Sequence, residues 1–345
     1  MIFKKKEVMN MSCILNLNRF IIPNDVILSL TEIYQYIGKN ESYEKIVAND
    51  KNRMIEQTIA RDCYFLAKMT NIELTDVRMR LIITKDSTPR TKDENFLFNL
   101  KESLTSCQHR FQTMLTQSND LINLANFLNQ SSNIRFDYIA VDKKSLLQSQ
   151  NMRSKRLDLD QMDQEVVRLV EKEEYEKIVL YLNYFIDFYN LAPFTELNKL
   201  MSYVLLYLTM LKANIQAFSY VSLFELLYNA KSEFTTEVMN ASFNWKEGYA
   251  QTLGFIRFML KIILKAYKRT DEIIREFEYD RNLNKGDNIE NTIHKLSGIF
   301  TKEELRRNHP YVSESTINRA LNKLKDEKVI KPLSKGRSAK WIKNP

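Results

Sequence analysis

The sequence predicts a mainly α-helical fold with a small C-terminal winged helix-turn-helix domain, and three observations carry that prediction. Glycine and proline number six each in 345 residues, below the usual shares of about 7% and 5%, so tight turns are few and long helices joined by polar loops are the economical arrangement. Apolar residues recur at three- and four-residue steps over most of the chain, the period of a helix with one buried face. The last sixth departs from this, passing from two short capped helical patterns to β-compatible runs.

Taken in order, residues 25 to 80 read as helices, beginning with "NDVILSLTEIYQYI" and the capping candidate Asn24. "STPRTKDENF" is a loop, because Pro89 forces Thr88 out of helical geometry. The helical period breaks again after "LANFLNQSSNI", and "RFDYIAV" has the β-branched and aromatic content of a short strand or hairpin. Helical patterning resumes with "QEVVRLVEKEEYEKIVLYLNYFIDFYNL", stops at Pro193, restarts with "NKLMSYVLLYLTML" and continues through "WKEGYAQTLGFIRFMLKIILKAYKRTDEIIREFEYDR". "NLNKGDN", with Gly286, marks a boundary. The expected domains are an N-terminal helical extension at 1–54, a helical core at 55–282 and the winged helix at 283–345.

Composition narrows the classes of function. Apolar residues make up 44% and charged residues 27%, a globular balance. The longest apolar runs, such as "FIRFMLKIILKAY", are broken by Lys or Arg before the ~18 residues that a membrane span needs. "MIFKKKEVMN" lacks the apolar run of a signal peptide. Cys13, Cys63 and Cys107 are widely spaced and odd in number, which fits reduced thiols and a cytoplasmic location. His109, His294 and His309 are scattered, and no Cys/His cluster has metal-ligand spacing. No cofactor is expected on these grounds.

Charge is uneven. Residues 285–345 hold 14 Lys and Arg against 7 Asp and Glu, a balance of +7 within a total of +8. Such asymmetry points to a polyanion-binding appendage. In the same stretch Thr301 and Glu304 have the spacing of a capping box, and Ser313 caps a second helix whose apolar stripe is Ile317, Ala320, Leu321 and Leu324. The opposite face carries Ser315, Arg319 and Asn322, flanked by Asn318 and Lys323. Arg pairs with guanine edges and Asn with adenine edges in the major groove. "VIKPL" and "AKWIK", joined by "SKGRS", form the wing, from which Lys335, Arg337 and Lys340 reach phosphates. DNA is therefore the expected partner, with a homodimer on two half-sites compatible. A protein-interaction module built on the same winged helix is the other reading of this tail.

"APFTELNKLMSY", Ala192 to Tyr203, lies between two apolar helical runs. It resembles, without gaps, the motif of the Fic family (Fido fold), H-x-F-x-[DE]-G-N-[GK]-R-x-x-R. Phe194, Glu196, Asn198 and Lys199 match, as do the flanking aromatic helices and the C-terminal winged helix found in many members. The resemblance spans most of the chain and implies a Fic-like helical core, in a family that typically transfers AMP from ATP to protein hydroxyls. It also implies which parts of that chemistry are missing. Ala192 stands where the family has its general-base His, whose loss typically removes about 10²–10⁴ in rate. Leu197 replaces the first glycine of the phosphate-binding turn. Leu200 and Tyr203 replace the two arginines, so paired guanidinium neutralisation is gone. Glu196 could hold Mg²⁺ and Lys199 offers one positive charge, which keeps a divergent ATP- and Mg²⁺-dependent transferase as the alternative; Asp187, Tyr189 and Glu196 are the other groups near in sequence. The expectation is an inherited catalytic turn turned structural, with Phe194 in the core, Glu196 as a first-turn anion and Asn198 as a turn or capping residue.

Overall fold

The computed structural model describes residues 12–344 apart from 20, 49, 86, 141–151, 281–284, 297, 311 and 334–338. By packing, the chain divides into two compact units, Met1–Ile37 with Thr58–Ala266, and Gly38–Gln57 with Tyr267–Pro345. Two of the dividing points fall inside long helices, α3 (Lys51–Met69) and α12 (Leu253–Asp280). An unbroken amphipathic pattern gives no sequence signal there, so this partition differs from one drawn at 54 and 282. Gly286 itself lies in the first turn of α13 (Lys285–Lys295), not in a loop.

The first unit is helical. Its centre is the pair α8 (Lys177–Leu191) and α9 (Asn198–Lys212), which are apolar nearly all round and accordingly buried on almost every face. Around them lie α1 (Asn24–Ile37), α4 (Asp76–Lys85), α5 (Lys92–Arg110), α6 (Ser118–Leu128), α7 (Arg156–Glu171), α10 (Leu223–Asn229) and α11 (Lys231–Ser242). The carbonyl of Pro23 accepts from Ile27 N at 3.1 Å, so Pro23 takes the cap position of α1 and Asn24 is its first helical residue. Thr91, two residues past Pro89, caps α5 by accepting from Glu94 N. The segment read as a short strand or hairpin supplies one strand: β1 (Tyr138–Ala140) pairs antiparallel with β2 (Met152–Ser154), which lies beyond it in the chain.

Two polar side chains interrupt the apolar run of α8, and both are satisfied inside. Asn183 donates to Val179 O and accepts from Thr252 Oγ1, each at 2.8 Å. Asp187, fully buried, accepts from Cys13 N at 2.7 Å and Trp245 Nε1 at 2.8 Å on one oxygen. Its other oxygen accepts from Ser12 Oγ at 2.5 Å and Ile14 N at 2.9 Å. One carboxylate thus pins the 3-10 turn Ile14–Arg19 and the Trp245 turn to α8.

The second unit holds α2 (Asn40–Val47) and, in its C-terminal part, α13, β3 (Ile299–Thr301), α14 (Lys302–Asn308), α15 (Glu314–Asp326), β4 (Ile330–Pro332) and β5 (Lys340–Lys343). The strands form an antiparallel sheet in the order β3-β5-β4. Among the described residues no helix is long and apolar enough to cross a membrane.

Candidate functional site

The loop between α8 and α9 is held from both ends. α8 stops because Ala192 turns left-handed (φ 43°) ahead of Pro193 and closes the helix with its N–H on Phe188 O at 3.1 Å. The Ala192 carbonyl accepts from Lys155 Nζ at 3.0 Å, and that ammonium also pairs with Asp137 at 2.8 Å. Lys155 thereby holds the Asp137 carboxyl below the usual carboxylate range. Next, Pro193 O accepts from Asp137 N, and Thr195 N donates to Arg135 O, both at 2.9 Å. The loop is sewn edge to edge onto the strand leading into β1.

Phe194 is buried, with its ring 5.5 Å from Phe136 and 6.0 Å from Phe188. Asn198, the first residue of α9, clamps it: Asn198 Oδ1 accepts from Phe194 N at 2.8 Å and Nδ2 donates to Phe194 O at 2.6 Å. Leu197 before it is left-handed (φ 61°), a conformation that costs a side-chain-bearing residue about 1–2 kcal/mol. Glu196 and Lys199 are exposed; the Glu196 carboxylate accepts from Ser132 Oγ at 3.1 Å, and Lys199 Nζ lies 6.0 Å above the Tyr203 ring.

Leu200 and Tyr203 face inward. Both are buried, and Tyr203 lies beside Phe185 at 6.4 Å and Phe234 at 5.8 Å. Burial pushes its phenol well up. Aromatic packing therefore fills the space beneath the first turn of α9. Of the nearby groups weighed as substitutes for a base, Asp187 is committed to its four donors. Tyr189 lies 6.0 Å from Phe185 in the same aromatic cluster. Among the described residues no group of three or more His, Cys, Asp or Glu is arranged to hold a metal ion. Lys155 was invisible to sequence reasoning as a member of this site; it follows β2 and reaches the loop only through the hairpin.

In the second unit, the capping box forms at the start of α14: Glu304 N donates to Thr301 Oγ1 at 3.2 Å, and Thr301 N to Glu304 Oε2 at 2.6 Å. Ser313 caps α15 through Thr316 N at 3.1 Å. Ile317, Ala320, Leu321 and Leu324 are buried, and Ser315, Arg319 and Asn322 are exposed together on the other side. The two flanking residues differ from that set. Lys323 Nζ is 2.8 Å from both carboxylate oxygens of Glu290 on α13, so its charge is already matched. Asn318 is half-buried, with its Oδ1 shut away from solvent and without a partner. Lys340 is exposed on β5; Lys335 and Arg337 lie outside the described residues.

No protein-family model matches the chain, and no curated protein matches it. Solved structures do. A Fic family protein from Desulfovibrio desulfuricans superposes with a TM-score of 0.56 at 13% identity, over 94% of this chain and 97% of that one. A Fic domain-containing signaling protein from Bacteroides thetaiotaomicron superposes with a TM-score of 0.54 at 12% identity, over 71% of this chain and 98% of that one. At such identities the likeness speaks for architecture, and it agrees with the helical arrangement around α8 and α9: the chain has the fold of Fic-domain proteins.

Proposed function

We propose that the chain is a Fic-family protein whose motif has lost its chemistry, and that it acts as a DNA-binding regulator through a C-terminal winged helix. The observation that carries this reading is the exposed Ser315–Arg319–Asn322 face of α15, and the short helices and three-stranded antiparallel sheet around it support a winged helix. Arg319 makes no ion pair among the described residues, so its guanidinium is available to a base edge. Lys335, Arg337 and Lys340 fix the wing on phosphates, and the core serves as sensor, dimeriser or partner platform.

Support for the loss of transferase chemistry comes from packing as well as from the missing base. An arginine at 203 would have to occupy a position now flanked by Phe185 and Phe234, and one at 200 a position that is buried.

The test is fluorescence anisotropy of the full chain on DNA from around its own gene, across a salt series. Three phosphate-facing cations (Lys335, Arg337, Lys340) give an expected slope of log K against log salt of about −3. Tight binding that survives competitor DNA supports a sequence-specific regulator. Absence of binding at low salt would sink the reading. ATP-dependent labelling of protein by the purified chain would instead favour the divergent transferase, for which the exposed Glu196 and Lys199 are the remaining groups.

A further inference from the structure

Outside the two regions above, one titratable group stands out by its surroundings. Asp62, on α3, has no exposed surface. Its Oδ1 accepts from Ser222 Oγ at 2.7 Å and Phe224 N at 2.9 Å, while its Oδ2 has no hydrogen-bond partner. Ser222 is the cap of α10, accepting from Glu225 N at 3.0 Å. On the far side, Gln108 of α5 donates to Tyr207 Oη at 2.6 Å and to Phe218 O at 2.9 Å, and accepts from Ser219 Oγ at 2.9 Å. Asp62 and Gln108 thus hold the two ends of one segment, residues 218–224, which continues the short turn begun at Gln216.

A carboxylate in this position is poorly matched. An ionised Oδ2 without a donor is a buried charge with half its solvation missing. A neutral acid escapes that cost. Ser222, Phe224 N and the Tyr207 hydroxyl each favour the ionised form, but burial outweighs all three. The Glu225 carboxylate opposes ionisation and itself takes the Arg61 guanidinium, at 2.5 Å. Cys63 and Tyr207 are held neutral by burial.

We propose that Asp62 is a proton-operated latch: with its proton on, the carboxyl fastens residues 218–224 and the start of α10 to α3, and loss of that proton to solvent loosens them. Burial, the largest cause, raises the carboxyl to about 7 against an ordinary 3.8. The folded state therefore binds a proton that the released state does not, between about pH 4 and 7. The stability this lends is greatest at the acid end, and it is lost as pH rises through the folded value.

The experiment uses the full chain in two measurements. In the first, the aspartate ¹³Cγ resonances are followed with pH, and the Asp62 signal is assigned by its loss in Asp62→Asn and, independently, by its displacement in Ser222→Ala. A midpoint at or above pH 6 supports the latch, and a midpoint below 6 overturns it. In the second, amide hydrogen exchange of residues 216–229 is corrected for intrinsic rates. One linked proton changes an opening equilibrium tenfold per pH unit well between the two values, so wild-type protection is expected to fall about fiftyfold from pH 5 to 7 and to level above about pH 8, whereas Asp62→Asn stays flat. Unchanged wild-type protection over that range would overturn the proposal, and this arm holds even if the variant does not fold.

Discussion

Asp187 offers the sharpest test of how the first unit is held together. Replacing it with alanine removes the acceptor of four bonds at once, from Ser12 Oγ, Cys13 N, Ile14 N and Trp245 Nε1. Each buried donor left unmatched costs about 1–3 kcal/mol. Detaching the N-terminal turn to rehydrate three of them forfeits the burial of Ile14 and Leu17, which is about 1.5–3 kcal/mol per side chain. The first route costs about 4–12 kcal/mol and the second, with Trp245 Nε1 still unmatched, about 4–9 kcal/mol, so the loss is at least about 4 kcal/mol. Asp187→Asn should cost less, about 2–3 kcal/mol. Its amide is best placed toward Ser12, whose hydroxyl can turn to accept, but Ile14 N–H then meets a second donor. Trp245→Phe removes one donor and leaves the carboxylate three, for about 1–2 kcal/mol. The assay is urea unfolding followed by tryptophan fluorescence. The chain has two tryptophans, one in each unit, so a Trp341→Phe background makes Trp245 report the first unit alone. Circular dichroism serves the same purpose for Trp245→Phe. If Asp187→Ala lay within about 1 kcal/mol of wild type, the carboxylate would not be the pin described here.

Other outcomes follow from the same geometry. Asn198→Ala opens both bonds to the Phe194 backbone and should cost about 1–3 kcal/mol in urea unfolding, with DNA affinity unchanged. Ala192→Gly relieves a left-handed residue and should raise stability by about 1 kcal/mol; a loss would mean that the turn is not strained. Arg319→Ala should lose about 1–3 kcal/mol on a specific DNA site, and equal affinity of the variant for all sequences would count against base reading. Lys323→Ala, whose partner is Glu290, should change DNA affinity far less, and a loss equal to that of Arg319→Ala would show that the ion pair opens on binding.

Local chemistry was readable in the sequence. Thr301 with Glu304, Ser313 and the Ile317–Leu324 stripe each act within one helical turn or along one face, so spacing alone places them. The strand at "RFDYIAV" announced itself by strand-forming residues in a helical chain. What spacing cannot show is a partner far along the chain. Asp187 looked like a spare acid near the motif, because its donors lie 174 residues before it and 58 after it. Lys323 looked like a DNA contact, because a basic residue on a helix face carries no sign of the glutamate 33 positions away that matches it. Lys155 joins the loop only once the hairpin has folded. Among the motif positions, Tyr203 was legible as a substitution but not as the wall of an aromatic cluster.

Under the proposed function, that wall bears on what it would take to build transferase chemistry into this loop. Histidine at 192 alone would place a base beside a turn in which Leu197 still carries a side chain in left-handed geometry. An arginine at 203 would carry a fixed charge into the company of Phe185 and Phe234, and a partner anion would be needed before it could be tolerated. On the proposed reading, then, it is the filled aromatic core behind the loop, and not only the absence of a base, that separates this turn from a catalytic one.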